Sequence, residues 1–517
     1  MNQNPGMTNR IVGCIQQTRR VTMLANIYKT KFYDENKAAM IYKDKTITYG
    51  DLDKMIGKYA QYFMDIGVKK GDKVMLSSIN CPQFLYAYLG AVKIGAIIIP
   101  VNTMLTVEEL QYIADNSDSA YMLIHPTILD KLEIEKVTLA KALDVDVRIM
   151  NEEMDKEIES KTPLTKDMGI TRDDLAAFLY TSGTTGKQKA VMLSHHNQIV
   201  NSGHLCEFIG LNGDDNIMCV LPMFHVFALT AIMLASLQLG GTFTIIESFK
   251  PKEVMDTLKN GDITVFMGVP AMYNVLLNII KPEDKFPKLR RIVCGASSMP
   301  VEVFKKATDI FCPDLIEGYG LTEATAALAF NPPDGERKIG SVGVTVDGIE
   351  CKIVDDEGKD LPYGETGNLV ARGENIMQGY YNNPEETAKT IKDGWLYTGD
   401  IAREDEDGYF YIVDRKKDII IVSGLNVYPR EVEEVIYTHP KIKEAAVVGA
   451  DDQMRGECVV AFVVLKEGET CTHRDFLRYL KTRLASYKVP RNVNFVDELP
   501  KNGSGKILKR VLRDKVN

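Results

Sequence analysis

Between residues 47 and 102 the hydrophobic positions switch twice between two periods. Leu52, Met55, Ile56, Tyr59 and Phe63 recur at helical spacing, and Gly71-Asp72 then turns the chain into a short strand, Lys73–Ser77. A second helix is predicted through 85–94, followed by a continuous apolar strand at 96–100. Strands apolar on both sides are typical of parallel sheets covered on both faces. The same alternation returns at 120–124, 242–246, 265–267 and Arg291–Cys294, which predicts an α/β layout.

From 340 to 413 the pattern changes to short strands separated by turns at 355–358, 363–365 and 405–408. That predicts a small antiparallel β unit closing a large N-terminal domain, residues 1–413. The charged run Asp414-Arg415-Lys416-Lys417-Asp418 reads either as a solvated turn or, at this change of composition, as a hinge. A smaller, mobile α+β C-terminal domain is expected over 419–517.

Composition adds limits rather than a function. At 517 residues the chain is too long for one compact core. A net charge of −9 argues against a nucleic-acid partner, which needs clustered Lys and Arg. The nine cysteines are scattered without a CxxC pair, so reduced thiols and a cytoplasmic location are expected. The first ten residues have no apolar run of the signal-peptide kind, and the longest apolar stretches, 89–101 and 226–237, are too short to cross a bilayer. No integral membrane segment is expected, although a fatty substrate could bring the protein transiently to a membrane. Composition leaves the oligomeric state open. His195-His196 reads as a helix start, the charged stretches 131–141 and 152–161 as solvated helix faces, and Met218, Met223, Met233, Met255 and Met267 as core.

One segment suggests phosphate chemistry. After the apolar strand 175–180 come Thr181, Ser182, Gly183, Thr184, Thr185, Gly186 and Lys187. Glycines let a backbone approach an anion, and hydroxyls donate to phosphate oxygens. Only two residues separate Gly183 from Gly186 and no hydroxyl follows Lys187, so it is not a P-loop. A polar surface turn explains the same composition.

The full string YTSGTTGKQK resembles the signature of the adenylate-forming (AMP-binding) superfamily, which contains acyl-CoA synthetases, peptide-synthetase adenylation domains and firefly-type luciferases. Lys189 matches that signature, while Gln188 and Ala190 depart from its usual Pro and Gly. Further matches follow in the family's order. Leu221-Pro222-Met223-Phe224-His225 resembles the segment whose His lies near the acyl carboxylate. Gly295, Ala296 and Ser297 resemble the segment beside adenine. Glu317-Gly318-Tyr319-Gly320-Leu321-Thr322-Glu323 resembles a motif in which Tyr319 stacks on adenine, Thr322 contacts the α-phosphate and Glu323 holds Mg²⁺. The resemblance places Asp400 and Arg415 on the ribose, makes Lys506 the catalytic lysine of Pro500-Lys501-Asn502-Gly503-Ser504-Gly505-Lys506, makes Lys417 the hinge, and brings Ser423 and Gly424 to coenzyme A.

What the resemblance implies is a ligase with three small-molecule substrates: ATP, coenzyme A and a carboxylic acid. The segments 225–230, 269–273 and 422–429 resemble bacterial medium- and long-chain fatty acyl-CoA synthetases. No charge interrupts 226–239, as an alkyl tunnel requires, and as any buried helix also shows. An aryl or other small acid, or loading of a carrier protein in place of coenzyme A, is the alternative.

Overall fold

We describe a computed structural model covering residues 21, 23–182, 188–502 and 505–516; the side chain of Ser182 is excluded. Gly183, Thr184, Thr185 and Gly186 therefore lie outside the described residues, as do Gly503 and Ser504.

The predicted opening alternation is present: helix Tyr49–Asp65, strand Lys73–Ser77, helix Pro82–Lys93 and strand Ile97–Pro100. The first helix starts where it does because Thr48 and Asp51 form a capping box. Such a cap contributes about 1 kcal/mol. The strands belong to a six-stranded sheet in which Asp146–Ile149, Tyr121–Ile124, Lys73–Ser77, Ile97–Pro100 and Leu175–Ser182 run parallel. Gln188–Ser194 closes its edge antiparallel to Leu175–Ser182, so the phosphate-loop segment joins two antiparallel strands. A nine-stranded sheet carries the second parallel run, from Ala38–Tyr42 through Thr242–Ile245, Asn216–Cys219, Val265–Gly268 and Arg291–Cys294 to Leu315–Tyr319. One continuous hydrophobic core joins the helices packed between these sheets.

Residues 349–415 form a five-stranded antiparallel sheet. Its strands are longer than the sequence pattern suggested: Thr366–Gly373 has 8 residues and Trp395–Glu404 has 10. Both strands mix buried stretches, 369–371 and 400–402, with glycines and partly exposed polar residues that read locally as breaks. Beyond Asp418 a separate C-terminal domain follows, built on a five-stranded mixed sheet with the long hairpin Ile442–Asp452 and Gly456–Leu465 and its own apolar core.

Residues 227–239 are buried almost throughout and form a π-helix, Phe227–Leu234, running into the α-helix Ala235–Leu239. The five singled-out methionines are core residues, each no more than 3% exposed. The helix His195–Phe208 does begin at His195, capped by Ser194 and Asn197, and the His195 Nδ1 accepts the Leu24 amide at 3.1 Å. Eight cysteines are described, none of them in a disulfide, and six of them are buried. Among the described residues no helix is long and apolar enough to cross a membrane, and no group of three or more His, Cys, Asp or Glu could hold a metal.

Candidate active site

A cleft of about 870 Å³ lies where the two large sheets, the antiparallel sheet and the C-terminal domain meet. Its walls come from segments far apart in sequence. Thr181 and Lys189 arrive on the antiparallel pair of the six-stranded sheet. Gly295 and Ala296 follow the end of strand Arg291–Cys294. Strands Leu175–Ser182 and Arg291–Cys294 both belong to the parallel runs, and ligands in open α/β sheets gather at such strand ends.

The segment from Gly318 to Glu323 lines the cleft and is held from behind by amides. The Asn201 side chain donates to the Ala327 carbonyl and accepts the Ala327 N–H, both at 3.0 Å. Asn375 donates to the Ala324 carbonyl at 2.9 Å, and Thr325 donates to the Asn375 carbonyl at 2.6 Å. These bonds stabilise a turn in which Thr325 and Ala326 have φ of 60° and 120°. Non-glycine residues hold such values only where surroundings over-determine them. Gly320 is required beside that turn, because a Cβ there would sit 1.3 Å from the Ala326 carbonyl oxygen.

Asp400 is buried behind the cleft and meets two groups. Arg415 Nε lies 2.8 Å from Oδ1, and the Tyr319 hydroxyl donates to Oδ2. Strand pairing brings this about, since Asp400 and Arg415 are direct partners across the antiparallel pair. Burial and the Asp400 carboxylate hold the Tyr319 phenol above its ordinary pKa, so it stays a donor. Each carboxylate oxygen has two lone pairs, so Asp400 retains acceptor capacity for an incoming hydroxyl.

Burial and the nearby Lys506 ammonium push His225 down to about 4. It is neutral near pH 7, and its Nδ1 accepts the Phe227 amide at 3.2 Å, leaving Nε2–H as a donor. Lys506 lines the same cleft at the tip of the C-terminal domain. Its surface remains open to solvent, yet the surrounding protein and the Arg415 and Lys417 cations lower its ammonium to about 8. The Asn502 side chain accepts the Lys506 N–H at 2.9 Å.

Other residues singled out by sequence stand elsewhere. Glu317 is buried beneath the wall, where Oε1 accepts the Met299 N–H at 3.0 Å and burial raises its carboxyl to about 7. Ser297 is exposed. Ser423 and Gly424 form the exposed turn of the hairpin Ile420–Val422 and Leu425–Val427 and do not line the cleft. Lys417, by contrast, does line the cleft, within the 3₁₀ turn Lys416–Asp418.

Against this geometry, comparison with known proteins is decisive. The model of the AMP-binding enzyme family matches residues 31–381, and that of the AMP-binding enzyme C-terminal domain matches residues 431–506. The chain belongs to the AMP-binding enzymes. It is 34% identical over 516 residues to the long-chain-fatty-acid–CoA ligase of Bacillus subtilis (strain 168), covering 92% of this chain and 91% of that one. It is also 34% identical over 469 residues to the feruloyl-CoA synthase of Amycolatopsis sp., covering 90% and 93%. The crystal structure of ATP-bound MatB from Rhodopseudomonas palustris superimposes with a TM-score of 0.88 at 31% identity, covering 95% and 98%.

Within this AMP-binding enzyme, Tyr380 and Glu386 also line the cleft although the sequence reading passed over them. They sit in the stretch joining two strands of the antiparallel sheet, with no glycine-rich or hydroxyl-rich signal. Only the fold brings them to Lys189 and Glu323. Glu323 suits a magnesium ion: its Oε1 accepts the Tyr380 hydroxyl at 2.9 Å, and it faces a cleft wide enough for a nucleotide. Mg²⁺ is ordinarily bound by one or two carboxylates together with substrate phosphates and water.

Proposed function

We propose that this AMP-binding enzyme activates a medium- or long-chain fatty acid with ATP and transfers it to coenzyme A. The coarser part, an ATP-dependent acid–CoA ligase, is supported by the family and by relatives named as acid–CoA ligases. The fatty-acid part rests on one observation above the others. The lining of the cleft includes the apolar side chains Phe224 and Phe227, which flank the neutral His225 in sequence, together with Leu205, Ala231 and Phe330. An alkyl chain packed against these side chains would be buried on apolar surface, and each buried CH₂ contributes roughly 0.8 kcal/mol.

The acid's carboxylate is a poor acylating agent because oxide would have to leave. Attack of its oxygen on the α-phosphorus of ATP breaks the bond to pyrophosphate and leaves an acyl-adenylate. Tyr319, Asp400 and Arg415 are suited to hold the nucleoside. Thr322, Thr181 and the Lys506 cation are suited to oppose charge growing on the phosphates, the kind of preorganised stabilisation that lowers barriers most. Magnesium bound at Glu323 would supply further charge neutralisation there. The His225 Nε2–H is suited to hold the acid's carboxylate. In the second step the coenzyme A sulfur attacks the acyl carbon and AMP leaves.

Those steps need different surroundings. Lys506 is at the cleft while Ser423 and Gly424 are outside it, which favours a C-terminal domain that turns between steps, with residues 414–418 as the link and Lys417 as the hinge. An aryl acid is the second reading, favoured by the equal identity to the feruloyl-CoA synthase. Pyrophosphate release measured for straight-chain acids from acetate to oleate and for benzoate and ferulate, with and without coenzyme A, tests both. Catalytic efficiency should rise with chain length to at least about C8. A maximum at acetate, benzoate or ferulate overturns the fatty-acid reading.

A further inference from the structure

A short piece of chain, residues 377–381, ties together two charged groups of the cleft that belong to different sheets. On one side it is stitched to the strand carrying Lys189. The Met192 N–H donates to the Gly379 carbonyl at 3.0 Å, Gln378 N–H to Met192 at 3.0 Å and Tyr381 N–H to Ala190 at 2.9 Å. On the other side the Met377 N–H donates to the Glu323 carbonyl at 2.9 Å. The Tyr380 side chain repeats the connection. Its hydroxyl donates to Glu323 Oε1 at 2.9 Å, and the Lys189 ammonium lies over its ring, 4.7 Å from the centroid. Glu386 completes the set, with Oε1 at 2.5 Å from Lys189 Nζ. Tyr380 is only 6% exposed, and its own N–H is held by Thr387 Oγ1 at 2.9 Å, so the ring is fixed in place.

We propose that Tyr380 is a positioning residue for the phosphate and metal site. Its hydroxyl orients the Glu323 carboxylate for a divalent cation, and its ring, with Glu386, holds Lys189 ready for exchange onto a phosphate. This rests on the reading of Glu323 as the Mg²⁺ carboxylate. A ligating carboxylate held by one hydrogen bond keeps its other oxygen free to face the cation, and partners of that kind commonly govern metal affinity 10- to 100-fold. The arrangement at Lys189 acts differently. A lysine already paired with Glu386 must give up that pair to reach a phosphate, so Glu386 competes with nucleotide while the aromatic face keeps the ammonium in place during the change.

The two roles give opposite signatures in ATP binding, measured calorimetrically on the full chain with and without Mg²⁺. Tyr380→Phe keeps the ring and removes only the hydroxyl. It should raise the Mg²⁺ concentration for half-maximal ATP binding about 10-fold and leave Mg²⁺-free ATP affinity within about 2-fold. An unchanged Mg²⁺ requirement, or an equal loss without Mg²⁺, overturns the carboxylate role. Glu386→Gln should tighten Mg²⁺-free ATP binding about 3-fold or more by releasing Lys189, and unchanged or weaker binding overturns the competing role. Melting temperature and circular dichroism check that each variant is folded. If the unaltered chain binds ATP with no dependence on Mg²⁺, the metal reading of Glu323 fails first; if it shows that dependence and Tyr380→Phe does not alter it, this proposal fails alone.

Discussion

Lys506 and His225 are the two residues whose protonation the cleft alters most usefully, and they are altered in the same direction. With its ammonium lowered to about 8, Lys506 is charged below that pH and loses its charge above it. If the charge serves adenylate formation, the rate of that half-reaction should be level from about pH 6 to 7 and fall as pH rises through about 8. Thioester formation from preformed acyl-adenylate should not follow that limb. Lys506→Ala should slow adenylate formation by about 100-fold or more, the scale of losing one preorganised charge donor, and leave the second half-reaction near normal. Equal losses in both half-reactions would remove Lys506 from the phosphate chemistry. His225 contributes nothing to this profile near neutrality, because it is neutral down to about 4.

At the scale of elements, the turn from Gly318 to Ala327 shows how much of the site is backbone. Gly320 and Gly399 look equivalent in sequence, each a glycine inside a short polar string, but the fold treats them differently. A Cβ at Gly320 collides with the Ala326 carbonyl, and neither backbone can yield without breaking the Asn201 and Asn375 bonds. Gly399 has φ +77° and nothing within 4 Å of where a Cβ would lie. Gly320→Ala should therefore destabilise by on the order of 3 kcal/mol or more and weaken ATP binding with it. Gly399→Ala should cost only about 1–2 kcal/mol of left-handed strain. Denaturant melts of both variants check the contrast, and equal costs would mean that the 320–326 turn relaxes freely. The π-helix Phe227–Leu234 belongs at this scale as well: it presents Phe227 and Ala231 to the cleft while the rest is core. An extra residue per turn is a frequent device for turning side chains toward a site.

For the whole molecule, the position of Lys417 between two anchors explains why it suits a pivot. Lys416 before it is tied to the antiparallel sheet, at 2.6 Å from Asp356 and 3.0 Å from Asn368. Asp418 after it is tied to the C-terminal domain by Arg513 at 2.6 Å. If the C-terminal domain turns as proposed, it must release the Asn274 contact to the Lys443 carbonyl at 3.2 Å, and Ile421 and Leu425 on the exposed hairpin, 52% and 50% accessible, are free to gain cover. Lys417→Pro would fix φ at the pivot and disfavour the 3₁₀ geometry of Lys416 before it. Adenylate formation should fall no more than about 10-fold, a strain of 1–3 kcal/mol, while thioester formation falls far more. Stopped-flow measurement of each half-reaction gives that ratio, and a wild-type ratio places the pivot elsewhere or removes it.

Local sequence was enough for the α/β alternation over 47–102, because a buried parallel strand or an amphipathic helix declares itself through periods its own residues carry. It was also enough for Thr181, Gly295, Tyr319, Thr322, Glu323, Asp400, Arg415 and Lys506 as candidates, because glycines, hydroxyls and charges in fixed order leave a recognisable string. Tertiary structure alone decided the length of the strands Thr366–Gly373 and Trp395–Glu404, whose buried stretches are covered by segments distant in sequence. It alone decided that Glu317 lies beneath the wall, and that Ser423 and Gly424 stand outside the cleft in this arrangement of the domains. It alone joined Lys189 to Tyr380 and Glu386, residues almost 200 positions away, through a hydrogen bond and an aromatic face. Such contacts depend on where strands lie beside one another, and periodicity within a segment carries no information about that.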